Sequence, residues 1–243
     1  MNQMIAHRGA SAYAPENTMA SFNKAMSLGA RFIEFDVMLS ADGQPFVFHD
    51  DTLKRTTNGR GVFGKMNADY LLSLDAGRWF SKRYQHEKIP TFAAVLEWLL
   101  THDIHANVEI KPSPGTAEQT TVAVLAQLNR LWPRDKPLPL ISSFDREALT
   151  LCRTLSPEMP LGFLMHEFQE DWLQSARKLD CLSVHLNVHI ATQQRVQAIK
   201  AEGFAVFVYT VNRQRLARKM FGFGVDAIFS DYPDLLGIMN VSS

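Results

Sequence analysis

Strand-like and helix-like segments alternate along nearly the whole of this 243-residue chain. The strand-like segments are short and rich in β-branched and aromatic residues, and such alternation predicts a parallel sheet covered by helices. Eight repeats predict closure into a (β/α)8 TIM barrel, a fold that has about 250 residues. The predicted strands are residues 4–7, 32–37, 106–110, 138–142, 160–164, 182–185, 205–209 and 226–230.

Helical patterns fill the spaces between these strands. The first begins around Pro15 and Asn17 and ends before Gly29, which are common start and stop signals. The others carry apolar residues at helical spacing. The predicted helices are residues 16–28, 92–100, 117–131, 146–155, 171–178, 192–202 and 213–221.

A ninth strand-like segment, residues 46–49, breaks the alternation. The gap that separates it from the second strand is short and contains Asp42-Gly43, which is typical of a tight turn. A parallel crossover needs about a dozen residues, so this strand is predicted to run antiparallel, outside the barrel order. It begins a polar insertion at about residues 40–90. We expect residues 1–243 to form one domain, with this insertion as a lid or small subdomain.

Composition excludes several classes of protein. Lys and Arg number 25 and Asp and Glu also number 25, so the formal net charge is zero and no basic stripe for nucleic acid is present. The chain has no apolar run long enough to span a membrane. It has no secretory signal pattern, and Cys152 and Cys181 lack redox or metal spacing. We therefore expect a soluble, cytoplasmic protein with two buried, reduced cysteines.

Three carboxylates lie at the ends of predicted barrel strands. Glu34 and Asp36 are two residues apart on one strand, so their side chains share a face. Glu109 ends the next parallel strand and would be their neighbour. Convergent carboxylates form a hard oxygen site suited to Mg²⁺ or Ca²⁺, and Mn²⁺ is also compatible. The alternative is a set of ion pairs with the basic residues Arg8, Arg31 and Lys111.

Two histidines also end strands beside these acids. An imidazole with a pKa of about 6.5 can take up or release a proton near neutrality. His7 and His49 are therefore the candidate acid and base, able to act on opposite sides of a phosphorus atom. Arg8 can clamp phosphate oxygens in a bidentate way, and Lys111 adds a second positive charge. The alternative for each histidine is a hydrogen-bonded structural role.

Other polar and aromatic residues also lie at strand ends. Phe144 and Tyr209 are candidates for a substrate-binding wall, with core packing as the alternative. His185 ends a strand and could face the site, whereas Asp231, before Tyr232-Pro233, is predicted to be a turn residue or helix cap. The remaining histidines are predicted to lie on the surface: His86, His102, His105, His166 and His189.

Taken together, these motifs resemble the glycerophosphodiester phosphodiesterase family over almost the full chain. Each motif is weak alone, but their joint order and spacing are specific. The short insertion is similar to that of the compact cytoplasmic bacterial members. The motifs are His7-Arg8-Gly9, Pro15-Glu16-Asn17-Thr18, Glu34-x-Asp36, Asp42-Gly43, His49-Asp50, Glu109-Ile110-Lys111, Tyr209-Thr210-Val211-Asn212 and the closing segment from Gly224 to Pro233.

The resemblance implies a TIM barrel with a small insertion after its second strand. It also implies a divalent cation on the three carboxylates, catalysis by the two histidines and phosphate contacts from Arg8 and Lys111. The implied reaction hydrolyses deacylated phospholipids such as glycerophosphocholine to sn-glycerol 3-phosphate and an alcohol. Many members of the family carry Trp where this chain has Tyr209, which bears on selectivity for the glycerol or the alcohol.

The sequence leaves several alternatives open. A related barrel phosphodiesterase could act on lysophospholipids, but it would need an apolar acyl groove, and the insertion offers only Val62-Phe63 and Trp79-Phe80. A catalytically inactive binding module predicts losses among the five key acids and histidines, and all five are present. The metal, the alcohol group, the role of each histidine, the nucleophile and the oligomeric state are not fixed by the sequence.

Overall fold

The computed structural model describes residues 3–235 and residue 237. Its strands are β1 (Gln3–His7), β2 (Phe32–Leu39), β3 (Pro45–Val47), β4 (His105–Ile110), β5 (Leu140–Ser143), β6 (Leu161–Met165), β7 (Ser183–Asn187), β8 (Ala205–Tyr209) and β9 (Ala227–Ser230). Every pair of neighbouring strands is parallel except β2 and β3. Because β1 pairs with both β9 and β2, the eight parallel strands close into a barrel. The predicted TIM barrel is confirmed.

Helices surround the barrel and bury their apolar faces against the outer side of the strands. They are α1 (Met19–Ser27), α3 (Phe92–His102), α4 (Ala117–Leu131), α5 (Arg146–Leu155), α6 (Trp172–Lys178), α7 (Gln193–Ala201) and α8 (Gln214–Gly222), whereas the short α2 (Ala68–Ser73) belongs to the insertion and packs inside it. Cys152 and Cys181 are buried and free. Among the described residues, no helix combines the length and apolar character needed to cross a bilayer.

The interior of the barrel changes character along its axis. An apolar layer built by Ile5, Leu140, Phe207, Ala227 and Phe229 fills part of it. Polar residues face the other end, where the carboxyl ends of the strands open into a cavity. Buried parallel strands are usually apolar throughout, so acidic and imidazole groups at this end mark it as the chemically active face.

β3 runs antiparallel to β2, with Val37 opposite Val47 and Leu39 opposite Pro45. It lies outside the parallel order, as the short Asp42-Gly43 connection predicts. The segment that follows is not simply polar. It encloses a second apolar cluster, in which the rings of Phe48 and Phe63 stack at 4.7 Å. This cluster gives the insertion a packed interior and fixes the position of His49 at the end of the hairpin.

The first helix is shorter than the sequence predicts. It begins at Met19 rather than at residue 16, and Thr18 is its N-cap, with its side-chain oxygen accepting from the backbone N–H of Ser21. Asn17 adopts a left-handed backbone with φ of 56°. Residues 15–17 therefore form a loop at the barrel mouth, where the side chains of Glu16 and Asn17 reach the site.

Candidate active site

A cavity of about 490 Å³ opens at the carboxyl ends of the barrel strands. It brings together eight of the nine site residues that the sequence predicts, and the ninth, Asp36, is buried beside Glu34. The predicted residues on its wall are His7, Arg8, Glu34, His49, Glu109, Lys111, Phe144 and Tyr209.

The three carboxylates converge as their strand positions predict. β4 lies beside β2 with Asp36 opposite Glu109 in the register. Each of Glu34, Asp36 and Glu109 is buried and offers an oxygen within 4.8 Å of the others. The predicted alternative of ion pairs describes part of this cluster: Arg8 Nε lies 3.3 Å from Asp36 Oδ2, but Glu34 and Glu109 form no such pair among the described residues.

Burial and the neighbouring charges shift the pKa values of the three carboxyl groups in different directions. Burial, with the charges of the neighbouring carboxylates, raises the pKa of Glu34 well above its usual value. Burial and the charge of Asp36 raise the pKa of Glu109 to about 8. Burial also acts to raise the pKa of Asp36, but Arg8, His49 and Lys111 together hold it below its usual value. A positive ion among the three acids would relieve this repulsion.

The donor set fits a divalent cation. Asp36 Oδ1 is buried and has no hydrogen-bond partner, although its Oδ2 accepts from Asn17 Nδ2 at 2.9 Å. Glu109 accepts no hydrogen bond from the described part of the chain. Free carboxylate oxygens in a buried cluster are costly unless a cation takes them up. Glu34, Asp36 and Glu109 could therefore hold a metal ion through hard oxygen ligands.

The stability of metal-free protein should depend on this cluster. A folded Glu109 keeps its proton up to about pH 8, whereas an unfolded glutamate releases it near 4.5. The folded state thus binds more protons in this window, and its stability falls as pH rises, by up to about 1.4 kcal/mol per pH unit. We expect Glu109→Gln to remove that contribution. The metal-free variant should therefore gain stability relative to metal-free native protein as the pH rises from 5 to 8.

Urea unfolding of both proteins in chelator at several pH values measures this difference. The comparison cancels the contributions of His49 and His185, whose lowered pKa values act in the opposite direction. A stability difference that stays constant between pH 5 and 8 would contradict a raised pKa at Glu109. Glu118→Gln, on the exposed face of α4, is the matched control.

The turn after β1 positions Arg8 over the carboxylates. Arg8 has φ of 52° and Gly9 has φ of 82°, so the chain bends sharply here. A Cβ on Gly9 would lie 2.5 Å from Ser21 Oγ, which makes glycine necessary for the approach of α1. The backbone N–H of Arg8 donates to Glu34 Oε2 at 2.9 Å, and its Nη1 donates to Glu16 Oε1 at 2.7 Å.

His49 is held between an acid and a cation. Its Nδ1 lies 2.6 Å from Asp50 Oδ1, and its Nε2 lies 2.6 Å from Lys111 Nζ. Burial lowers the pKa of His49, and although Asp36 opposes this, Arg8 and Lys111 add to it, so the net shift is downward. The neutral ring therefore carries its proton on Nδ1, toward Asp50, and presents the Nε2 lone pair.

His7 has a different partner. Its Nδ1 lies 2.6 Å from Asp231 Oδ1. Burial acts to raise the pKa of Asp231, but hydrogen bonds from His7, Ser11 and Asn212 lower it to about 2. The ionised carboxylate can only accept, so Nδ1 of His7 is the donor. Asp231 therefore orients the ring of His7, and the predicted turn or cap role does not describe its side chain.

Two aromatic rings form one wall of the cavity. Phe144 is 44% exposed and packs edge-on against Tyr209, with 5.9 Å between ring centroids. The Tyr209 hydroxyl donates to the carbonyl oxygen of Met165 at 2.9 Å, which fixes the ring. The predicted alternative of simple core packing does not fit Phe144, because an exposed ring at a cavity mouth offers an apolar face to a ligand.

The other histidines differ in burial and in their distance from the cavity. His185 is fully buried on the cavity floor, where its ring stacks on Phe207 and its Nε2 bonds to Ser183 Oγ. His166 and His189 are exposed, as predicted, yet they also line the rim of the cavity, which the sequence does not indicate. The remaining three are exposed away from this cavity: His86, His102 and His105.

Sequence patterns miss the side chains that orient the predicted site residues. Asp231 supports His7, Asp50 supports His49, and Glu16 supports Arg8. Glu16 and Asp50 lie inside motifs of the family resemblance, and that placement was the available signal. Asp231 also lies inside such a motif, but nothing local pairs it with His7, because that partner precedes it by 224 positions.

Comparisons with known proteins agree with this geometry. A model of the glycerophosphoryl diester phosphodiesterase family matches residues 7–235. A glycerophosphodiester phosphodiesterase of Caldanaerobacter subterraneus is 34% identical, with 96% of this chain and 95% of the relative covered. A glycerophosphodiester phosphodiesterase of Bacillus subtilis is 33% identical, with 95% of this chain and 84% of the relative covered.

Solved structures give the same result. An Oleispira antarctica phosphodiesterase in complex with the product sn-glycerol-3-phosphate superposes with a TM-score of 0.94 at 40% identity, covering 98% of this chain and 96% of the other. A glycerophosphodiester phosphodiesterase from Thermotoga maritima superposes with a TM-score of 0.78 at 26% identity, covering 98% of both chains. This chain therefore belongs to the glycerophosphoryl diester phosphodiesterase family and is a phosphoric diester hydrolase.

Proposed function

We propose that this enzyme hydrolyses glycerophosphodiesters, such as glycerophosphocholine, to sn-glycerol 3-phosphate and an alcohol, with a divalent cation and two histidines. The observation that carries the proposal is the joint placement of His7, His49 and the acidic cluster around one cavity. The Oleispira relative holds sn-glycerol-3-phosphate as its product, which supports this substrate class. The proposed unit is one domain, residues 1–243, with an insertion at about 40–90.

Arg8 and Lys111 would bind the phosphoryl oxygens. Both cations face the cavity beside the acidic cluster, where a buried anion is otherwise unfavourable. A cation held by Glu34, Asp36 and Glu109 would supply further charge stabilisation of the phosphoryl group; Mg²⁺, Ca²⁺ and Mn²⁺ all suit these oxygen ligands. Phe144 and Tyr209 would pack against the carbon skeleton of the substrate, whose alcohol group is unspecified.

The two histidines would have different roles. His49 is neutral and presents the lone pair of Nε2, so it is assigned as the base that removes a proton from the nucleophile. Lys111, which contacts Nε2 in the free enzyme, would turn to the phosphate when substrate binds. His7, paired with the Asp231 carboxylate, is assigned as the acid that protonates the departing alkoxide.

The direct test is release of glycerol 3-phosphate from glycerophosphocholine. We expect metal-stripped protein to be inactive and Mg²⁺, Ca²⁺ or Mn²⁺ to restore turnover, because the acidic cluster needs a cation. Stripped protein that keeps full activity would contradict the metal requirement. Restored, folded protein that is inactive on several glycerophosphodiesters would contradict the substrate class, and lysophospholipids would be tested next.

Water or the glycerol 2-hydroxyl could serve as the nucleophile in this scheme. A substrate analogue that lacks the 2-hydroxyl distinguishes the two. Continued turnover of the analogue excludes an obligatory cyclic phosphate intermediate. Loss of turnover with unchanged binding, measured by competition against glycerophosphocholine, supports attack by the 2-hydroxyl.

A further inference from the structure

We propose that Arg55 is a positioning residue that holds His49 and Arg8 in their working orientations at the same time. It lies in the insertion, after β3, and it does not line the substrate cavity. The inference rests on the proposed function, because it assigns Arg55 a part in that reaction. No sequence pattern singled this residue out.

The guanidinium group of Arg55 binds two carboxylates through four hydrogen bonds. Its Nε donates to Asp50 Oδ2 at 2.6 Å and its Nη2 to Asp50 Oδ1 at 2.7 Å. On the Glu16 side, Nη1 donates to Oε2 at 2.6 Å and Nη2 to Oε1 at 2.8 Å. Paired donors of this kind fix the plane of each carboxylate, which a single ammonium group does not do.

Each carboxylate also holds one residue of the candidate site. Asp50 Oδ1 accepts from His49 Nδ1 at 2.6 Å, and Glu16 Oε1 accepts from Arg8 Nη1 at 2.7 Å. A continuous chain of hydrogen bonds therefore runs from the proposed base to the proposed phosphate clamp, with Arg55 at its centre. Asp50 lies in the insertion and Glu16 in the loop after β1, so Arg55 joins two separate parts of the fold.

Charge balance explains why this link requires a cation. Glu16 and Asp50 both contact one guanidinium group, so removal of Arg55 would leave two neighbouring carboxylates with only Arg8 and His49 as their partners among the described residues. Arg55 itself is 45% exposed, whereas the side chains of Glu16 and Asp50 are 13% and 20% exposed. An ordinary surface pair adds little stability, so the value of this contact lies in orientation.

Loss of Arg55 should therefore impair turnover more than binding. Free rotation of Asp50 would leave His49 without a fixed proton on Nδ1, and the tautomer with a free Nε2 lone pair would be less populated. Removal of a partner that orients a metal ligand typically costs about 10–100-fold in affinity or activity, and we expect a similar cost for a residue that orients a catalytic base. We expect Arg55→Ala to lower kcat by about that factor. Because a positive charge near His49 is lost, the acid limb of the pH profile of kcat/KM should move to higher pH.

The test compares Arg55→Ala, Arg55→Lys and the control Arg60→Ala, an exposed arginine of the same insertion. Guanidinium ion at tens of millimolar, far below denaturing concentration, should partly restore kcat in Arg55→Ala but not in Arg55→Lys. Lysine keeps the charge but not the paired donors, so Arg55→Lys should have intermediate activity. This variant also keeps the test valid if Arg55→Ala fails to fold.

Native kcat and an unchanged pH profile in the folded variants, with only the melting temperature lowered, would overturn the proposal and leave Arg55 a structural ion pair. Absence of rescue by guanidinium in a folded, impaired Arg55→Ala would also overturn it. A failure of the proposed function is distinguished from a failure of the Arg55 proposal, because the proposed function is tested on native protein with glycerophosphodiesters. The Arg55 comparison uses whichever phosphodiester native protein hydrolyses.

Discussion

His49→Asn is expected to lower kcat on glycerophosphocholine by about 10²–10⁴-fold, the range typical of a lost general acid or base. Asparagine keeps a donor near the position of Nδ1, which preserves the hydrogen bond to Asp50, and removes Nε2. His7→Asn should cause a similar loss while keeping a donor to Asp231. Steady-state kinetics on native protein and both variants measures these effects.

Substrates with different leaving groups separate the two roles. A p-nitrophenyl ester of glycerol phosphate has a leaving group that departs without protonation. His7→Asn, which lacks the proposed acid, should therefore recover most of its activity on this substrate. His49→Asn, which lacks the proposed base, should not recover. The opposite result would reverse the assignment, and equal behaviour of the two variants would contradict it.

A surface histidine serves as the control for these variants. His102 lies on α3, is exposed, and contacts the Trp98 carbonyl oxygen rather than the cavity. We expect His102→Asn to keep native kcat on both substrates. Thermal melting of all three variants verifies that they are folded. Near-native activity in a folded His49→Asn or His7→Asn would exclude that histidine from catalysis.

Glu109→Gln is expected to weaken binding of the divalent cation by more than about 100-fold. Even residues that only orient a metal ligand change affinity about 10–100-fold, and Glu109 is proposed as a ligand itself. The substitution is nearly isosteric and removes no hydrogen bond seen in the described residues. Isothermal titration of metal-free protein with Mg²⁺, Ca²⁺ and Mn²⁺ measures the change, and activity should fall with it.

The same variant separates a metal site from an ion-pair cluster. Native protein should gain about 2.7 kcal/mol of stability at a cation concentration 100 times the Kd. Glu109→Gln should show no such gain at that concentration, although it is the more stable protein in chelator at pH 8. An unchanged titration in the variant would show that these acids do not hold the ion. Glu118→Gln should behave as native protein.

Much of the fold could be predicted because its signals are local. Strand and helix periods, the Asp42-Gly43 turn and the charges at strand ends each depend on a few adjacent residues. In a parallel barrel all strands end at one face, so Glu34, Asp36 and Glu109 were predictable neighbours. Prediction failed at residues 16–18, which precede the first helix rather than begin it, and Asn17 in this loop donates to Asp36.

Local signals also failed for the interior of the insertion. Its apolar residues are spaced irregularly along a mostly polar segment, so no period marks them as a core. They meet only because the chain folds back on itself, which brings Phe48 against Phe63. The result is an apolar cluster inside a segment that the sequence indicated to be polar.

The sequence by itself determined the chemical groups of the candidate site and the end of the barrel at which they lie, because strand period and strand direction are local properties. Only the tertiary structure decided their partners. Barrel closure places β1 against β9 and thereby brings Asp231 to His7, and the folded insertion brings Arg55 between Asp50 and Glu16. These contacts join distant segments, so no local pattern encodes them. The Asp231 contact sets which ring nitrogen of His7 carries a proton, whereas His49 takes its Nδ1 partner from Asp50, the next residue in the chain.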